Sequence, residues 1–318
     1  MALLTEYSEI SQKGKFFTNG TVKVDIHIDQ IFERLDELAA TGDFIFRGVT
    51  EAKYKLFNSS QRFYITHELF KHTKPENVHA HYDNFISSLI DECKNWNNST
   101  VKNQLIASGI DEDNCLAYLS YMQHFGTPTP FLDFTFDPYL SLYFATENAH
   151  YIPSNIEIEN YFSIYYTYQN ASAFEGWKHV FNKNSQNLKN GKISYDEVNK
   201  NSMHILLPTD EPYKILNNTN IVNQKGLFFY NNNPFNPLEE TYLKYATYTK
   251  ENLGEEKFKD MMMLDTFANS INIHKSFIPY VKNKLKERGI TKDYVYPDTY
   301  KMKNDVLEKA TISSLLTK

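Results

Sequence analysis

Cysteine is nearly absent from this chain. Its two thiols, Cys93 and Cys115, stand in unrelated contexts, too few for a disulfide framework or a zinc set. They read as reduced, buried thiols of a cytosolic protein. Glycine and proline are also sparse, eleven of each, which argues against long flexible linkers. No run approaches the ~18 consecutive apolar residues of a membrane span. The opening MALLTEYSEISQKGKFF lacks the charged-then-apolar order of a signal peptide. Positive charge has no surplus: 33 Lys and Arg against 39 Asp and Glu leave a net charge of −6, unlike a general binder of nucleic-acid backbones. The P-loop, the dinucleotide GxGxxG, the zinc-protease HExxH and the hydrolase GxSxG are all missing. His67, His72, His79 and His81 have no consistent metal spacing. No carboxylate cluster has the spacing of a metal-dependent nuclease.

What is abundant is aromatic. Tyr and Phe number 23 each, favouring a tightly packed fold with aromatic-lined grooves. The 318 residues suffice for a sizeable core. TVKVDIHIDQIFERLDELAATGDFIFRG reads as strand, helix, strand. Ile31, Leu35 and Leu38 share the helix's inner face, and Gly42 is its C-cap. Residues 76–96 give the clearest helix. Val78, Tyr82, Phe85, Ile86, Leu89, Ile90, Cys93 and Trp96 recur mostly at spacings of three and four, and NNST ends it. A second helix spans 111–125, with Leu116, Leu119 and Met122 inward. Asp137-Pro138 starts a third, Asp as N-cap and Pro at the first position. YFSIYYTYQ, HILLP and NQKGLFFYN are strands. HKSFIPYVKNKLKERGI is a late amphipathic helix, and DYVYPD a short strand after it. Helices dominate early and strands later, which predicts an α+β class: a helix-rich N-terminal half packed on a mainly antiparallel sheet. Residues 170–203, rich in Asn, Lys and Ser, read as an exposed insertion with a short helix near Glu197.

Chemistry concentrates in three segments. In FRGVTEAKYKLFNSSQR, Arg47 ends a hydrophobic strand and presents a fork suited to phosphate or carboxylate. Gly48 lets a ligand approach the backbone, and Ser59, Ser60 and Arg62 add donors. The competing reading makes Arg47 a buried structural salt bridge. In HFGTPTPFLDFT, Asp133 and Thr135 share one strand face. Asp133 can pair with Arg47, orient His124, meet a ligand hydroxyl, or simply satisfy backbone N–H groups in a turn. In NIVNQKGLFFY, Asn223 and Gln224 stand at a strand entrance, where an amide can read a ribose or base edge; taken alone, an ordinary turn explains them better. The basic runs NLKNGK and KNKLKERGITK read as solvated surface.

Taken together, the segments resemble the FRG domain family, named for its Phe-Arg-Gly signature. Here that signature is Phe46-Arg47-Gly48, followed by Tyr54-x-Leu56 and Ser60-x-Arg62. A second block runs Gln123-His124-Phe125-Gly126, then Thr127 to Thr135, then Tyr143-Phe144-Ala145. A third is Gln224-Lys225-Gly226-Leu227-Phe228, and a late one Gly289-Ile290 with Tyr296-Pro297-Asp298. The family usually has Gln where Val49 stands and Arg where Pro130 stands, so two polar contacts of its usual pocket are missing. The resemblance implies one FRG domain over residues 25–305, with an N-terminal extension over 1–24, a variable insertion near 170–203 and a tail over 306–318. It also implies a bacterial or phage-associated protein of toxin–antitoxin or phage-defence systems.

The expected activity is that of an ADP-ribosyltransferase-like or NAD-consuming effector. Cleaving the nicotinamide–ribose bond passes through an oxocarbenium-like state that gains from nearby negative charge. In that reading Arg47 takes the phosphates, His124 the ribose or leaving group, Asp133 the developing charge and Gln224 the ribose or acceptor. Gly48, Tyr54, Ser60, Arg62, Thr135 and Asn223 complete the ligand contacts, and NAD is the substrate. Such transferases normally carry Glu where Gln224 stands, so the charge falls to Asp133, Glu239 or Glu240. The alternative is a non-catalytic module binding a nucleotide or a partner protein, such as a cognate antitoxin. Nucleic acid enters only as a possible acceptor.

Overall fold

The computed structural model describes residues 4–23, 28–168, 203–206, 219–260 and 264–297. The insertion expected at 170–203, with its helix near Glu197, falls almost wholly outside the described residues, as do Asp298 and the tail. The chain order begins α1 (Ile10–Lys13), β1 (Phe17–Val22), α2 (Asp29–Thr41), β2 (Phe44–Val49), α3 (Ser59–Thr66), α4 (Val78–Ala107) and α5 (Cys115–His124). It continues β3 (Phe131–Thr135), α6 (Pro138–Thr146), β4 (Tyr161–Tyr168), β5 (Met203–Leu206), α7 (Thr219–Asn223) and β6 (Gly226–Asn231). Last come α8 (Leu238–Asp260), β7 (Ala268–His274), α9 (Ile278–Glu287) and α10 (Lys292–Val295).

Among the described residues, seven strands form one sheet in the order β1-β7-β4-β2-β3-β6-β5. Of these, only β1 and β7 pair in parallel; every other pairing is antiparallel. This is the α+β arrangement read from the sequence. Helices cover both faces, so the central strands are apolar almost throughout: in β4 only Tyr166 and Tyr168 are not buried. On one face, α2, α6 and α9 pack on Phe44, Phe46, Phe162, Ile164, Ile271 and Ile273. On the same side of the pleat, α4 and α5 pack on Phe131, Phe228 and Tyr230 at the other end of the sheet. The opposite face is closed by the N-terminal segment and α8 over Ile45, Leu132, Tyr165 and Phe229.

Local signals were mostly realised. Gly42 caps α2 at φ 70, a backbone state glycine adopts without steric cost. Asp137 caps α6, its Oδ1 accepting from Tyr139 N at 2.9 Å, with Pro138 at the first turn. Phe32 joins Leu35 and Leu38 in the core, and Ile31 packs against it partly buried. Four expectations need correction. Helix α4 does not end at NNST; non-helical backbone at Trp96–Ser99 breaks it and the chain resumes helix to Ala107. At that break Trp96 points out, 59% exposed, and Cys93 is only half-buried. DYVYPD is no strand: Thr291 accepts a hydrogen bond from Tyr294 N and starts the short helix α10.

Candidate functional site

The pairing of β2 with β3 is confined to Phe46 opposite Thr135, whereas β2 meets β4 over six residues. Beyond Phe46 the Asp133 carbonyl has no β2 backbone N–H, and the Arg47 guanidinium supplies one instead through Nη1. A side chain thus completes the hydrogen bonding of a strand edge. The opening lies where the two helical groups of one face part. A cavity of about 320 Å³ occupies it, within the lower range of small-molecule sites.

Several elements bring polar groups to this cavity, first among them Arg47 from β2, Asp133 and Thr135 from β3, and Gln123 and His124 from the end of α5. Asn220 and Gln224 from the α7 segment and Tyr296 from beyond α10 close the far side, and Phe144 of α6 adds an aromatic wall. Asp133 reaches solvent, yet protein is dense around it. Desolvation raises its pKa above the ordinary carboxylate value, while Arg47, the Gln123 amide and Arg62 pull the other way. Gln123 Nε2 donates to Asp133 Oδ2 at 2.8 Å. Burial lowers the Arg47 pKa to about 10, opposed by Asp133, so the guanidinium stays charged at neutral pH. Its Nε is buried without a partner. His124 is exposed; desolvation lowers its pKa, which favours the neutral ring. Asn220 Nδ2 lies 3.1 Å from His124 Nδ1. An amide nitrogen only donates, so Nδ1 accepts and the ring proton sits on Nε2.

Of the residues singled out in the sequence, Arg47, Gly48, His124, Asp133, Thr135 and Gln224 all line this cavity. Several do so differently from the expectation. Arg47 is neither a free phosphate fork nor one half of a salt bridge, since one arm is committed to a main-chain carbonyl. Gly48 lines the cavity and also lets α6 pack closely: a Cβ there would lie 1.8 Å from the Ser141 carbonyl of α6. Thr135 Oγ1 donates to the Gln224 carbonyl at 2.7 Å and accepts from Asp137 N at 3.0 Å. The Gln224 amide donates to the Val295 carbonyl at 3.3 Å.

The others stand outside the cavity. Ser60 is fully buried against Asn58 and Tyr82. Tyr54 bridges to Glu6. Asn223 donates to the Tyr294 carbonyl. Arg62 is tied to the Phe57 carbonyl and acts on Asp133 only through its charge. Glu239, held as a possible source of negative charge, is buried on the far face, where it receives Tyr7 OH at 2.7 Å. Glu240 pairs with Lys55. Asp133 is therefore the sole carboxylate lining the cavity among the described residues. Gln123, Asn220, Phe144 and Tyr296 were not singled out. Gln123, Phe144 and Tyr296 lie inside signature blocks, but nothing in such a side chain's neighbours along the chain says which cavity it will face. Among the described residues no three His, Cys, Asp or Glu are placed to hold a metal ion, and no helix is long and apolar enough to cross a membrane.

The class this geometry defines is an α+β domain whose pocket opens at a seam of one mixed sheet. By comparison, residues 42–152 match the FRG domain family. The match includes Phe46-Arg47-Gly48 and the block from Gln123 to Thr135; the blocks at 224–228 and 289–298 lie beyond it. No curated protein and no solved structure matches the chain.

Proposed function

We propose that the seam pocket binds the ribosyl end of a nucleotide and that the protein is an ADP-ribosyltransferase-like, NAD-consuming effector of a toxin–antitoxin or phage-defence system. The observation that carries this is Asp133, one accessible carboxylate in a cleft of aromatic and amide side chains. A cavity of about 320 Å³ suits a nicotinamide riboside half, leaving the rest of the dinucleotide at the mouth. Phe144 and Tyr296 offer faces for the flat ring.

In the reaction the C1′–N bond breaks and its electron pair leaves with nicotinamide. The positive charge left on the ribosyl carbon and ring oxygen lies against the Asp133 carboxylate. His124, as the Nε2–H tautomer, donates to a ribose oxygen. An acceptor hydroxyl or water adds at C1′ and releases its proton to solvent. Arg47 holds the Asp133 main chain and keeps a positive field at the pocket floor. The second reading, a binding module without turnover, is favoured by Gln224, whose amide is spent on Val295 and supplies no second acid.

The test is nicotinamide release from NAD by the purified chain, beside Asp133→Asn and with growth followed on expression. Release that is lost in the variant, together with growth inhibition that the variant relieves, supports the enzyme. Binding of NAD without release supports the module. Neither binding nor release sinks both.

A further inference from the structure

One hydrogen-bond chain joins the start of β3 to Asp133. The backbone N–H of Phe131 donates to Thr129 Oγ1 at 3.4 Å. A carboxylate only accepts, so Gln123 presents Nε2 to Asp133, at 2.8 Å from Oδ2. Its Oε1 is then turned to accept the Thr129 hydroxyl proton. Thr129 is itself fully buried. It is also pinned by Ser59, whose Oγ receives Thr129 N at 2.9 Å. The chain therefore runs from a rigid strand start, through two neutral side chains, to the one carboxylate of the cavity. Arg47 grips the main-chain carbonyl of the same residue from the other side, so Asp133 is held at both its backbone and its head.

We propose that Gln123, locked by Thr129, is a positioning residue that holds the Asp133 carboxylate as the pocket's hydrogen-bond acceptor. Its role in turnover rests on the proposed function; the hydrogen-bond chain does not. The charged and titratable groups acting on Asp133 come from several elements: Arg47 on β2, Arg62 on α3 and Tyr296 beyond α10, with His124 on α5 lining the same cavity. None of these is altered by changing Gln123.

The test follows the Asp133 carboxyl by carbon NMR through a pH titration of the full chain, in wild type, Gln123→Leu and Thr129→Val. Losing a donor to the ionised form raises the midpoint. Gln123→Leu is expected to raise it by about one unit. Thr129→Val, which frees the amide to turn its oxygen toward the acid, shifts it in the same direction. A merely structural role would lower the melting temperature and leave the midpoint in place. Unchanged midpoints in the folded variants overturn the proposal; if Gln123→Leu does not fold, Thr129→Val decides alone. Should wild type release nicotinamide, Gln123→Leu lowers kcat on the order of 10- to 100-fold with little change in KM. Should it release none, the function reading fails while the titration still judges Gln123.

Discussion

Arg47 and Asp133 are ionisable groups of the sheet itself at the β2–β3 seam, whereas Lys13 of α1 and Glu239 of α8 are ionisable groups buried against the opposite face. On the second pair's face Lys13 is wholly buried, its Nζ 2.8 Å from Ser163 Oγ and 2.6 Å from Asn272 Oδ1. Desolvation lowers its pKa to about 7, against the pull of Glu239. Glu239 is equally buried and is raised to about 7 by desolvation, eased by bonds from Tyr7 and the Leu56 backbone. On pKa alone this pair would stand out as strongly as the seam. Yet both groups have no exposure to water, and their bonds go to neighbouring protein atoms. At the seam Arg47, Asp133 and His124 are also shifted, but Asp133 and His124 face solvent across a cavity. Shifted ionisation marks buried charge in general; a candidate site needs shifted ionisation and room for a reactant beside it.

That contrast can be broken most sharply at Asp133. Asp133→Asn is expected to cut nicotinamide release by about 10²–10³-fold. Its melting temperature should be unchanged or higher, because a desolvated charge is removed. Activity retained, or lost only in step with stability, would erase the distinction between the two regions. Next comes Gly48→Ala. Its methyl would strike the Ser141 carbonyl, and forcing helix from strand should cost about 3 kcal/mol, read as a lowered denaturant midpoint.

Lys13→Ala should destabilise by about 1–3 kcal/mol, since Asn272 and Ser163 lose a donor in a dry place, while nicotinamide release per folded molecule stays at the wild-type value. The last effect is a pH slope. Glu239 carries a folded pKa raised from 4.5 to about 7, so the folded state binds more protons than the unfolded chain between those values. Stability therefore falls as pH rises through that window, by at most about 1.4 kcal/mol per unit. Glu239→Gln should flatten this limb of a stability–pH curve and leave the pH dependence of turnover alone.

Periodicity and caps made much of the helical half legible. The spacing of Val78, Tyr82, Ile86 and Ile90 predicts a buried stripe, and these four are in the core. Asp137-Pro138 marks a helix start from two neighbouring residues. Strand β7 and helix α8 were not read at all. ANSINIH alternates too weakly, because Ser270 and Asn272 are buried polar residues: Asn272 accepts from Lys13 of α1 and Ser163 of β4, and Ser270 donates to Asn272. Helix α8 is interrupted at Gly254, where φ is 85, and its aromatic-and-charged pattern shows no clear apolar stripe.

For the site, the identities of Arg47, His124, Asp133 and Gln224 were visible as polar residues abutting apolar strands, and all four do line one cavity. What local sequence determined was which segments are strands and helices and where polar groups interrupt them, because propensity, capping and periodicity act over a few residues. What only the tertiary structure decided was the use of each group. Arg47 became a latch because β2 and β3 part after a single pair. Gly48 became a packing contact because α6 crosses there. Glu239 left the pocket for the opposite face, and Gln123 entered it, because pairings across about a hundred residues set which side chains share a space.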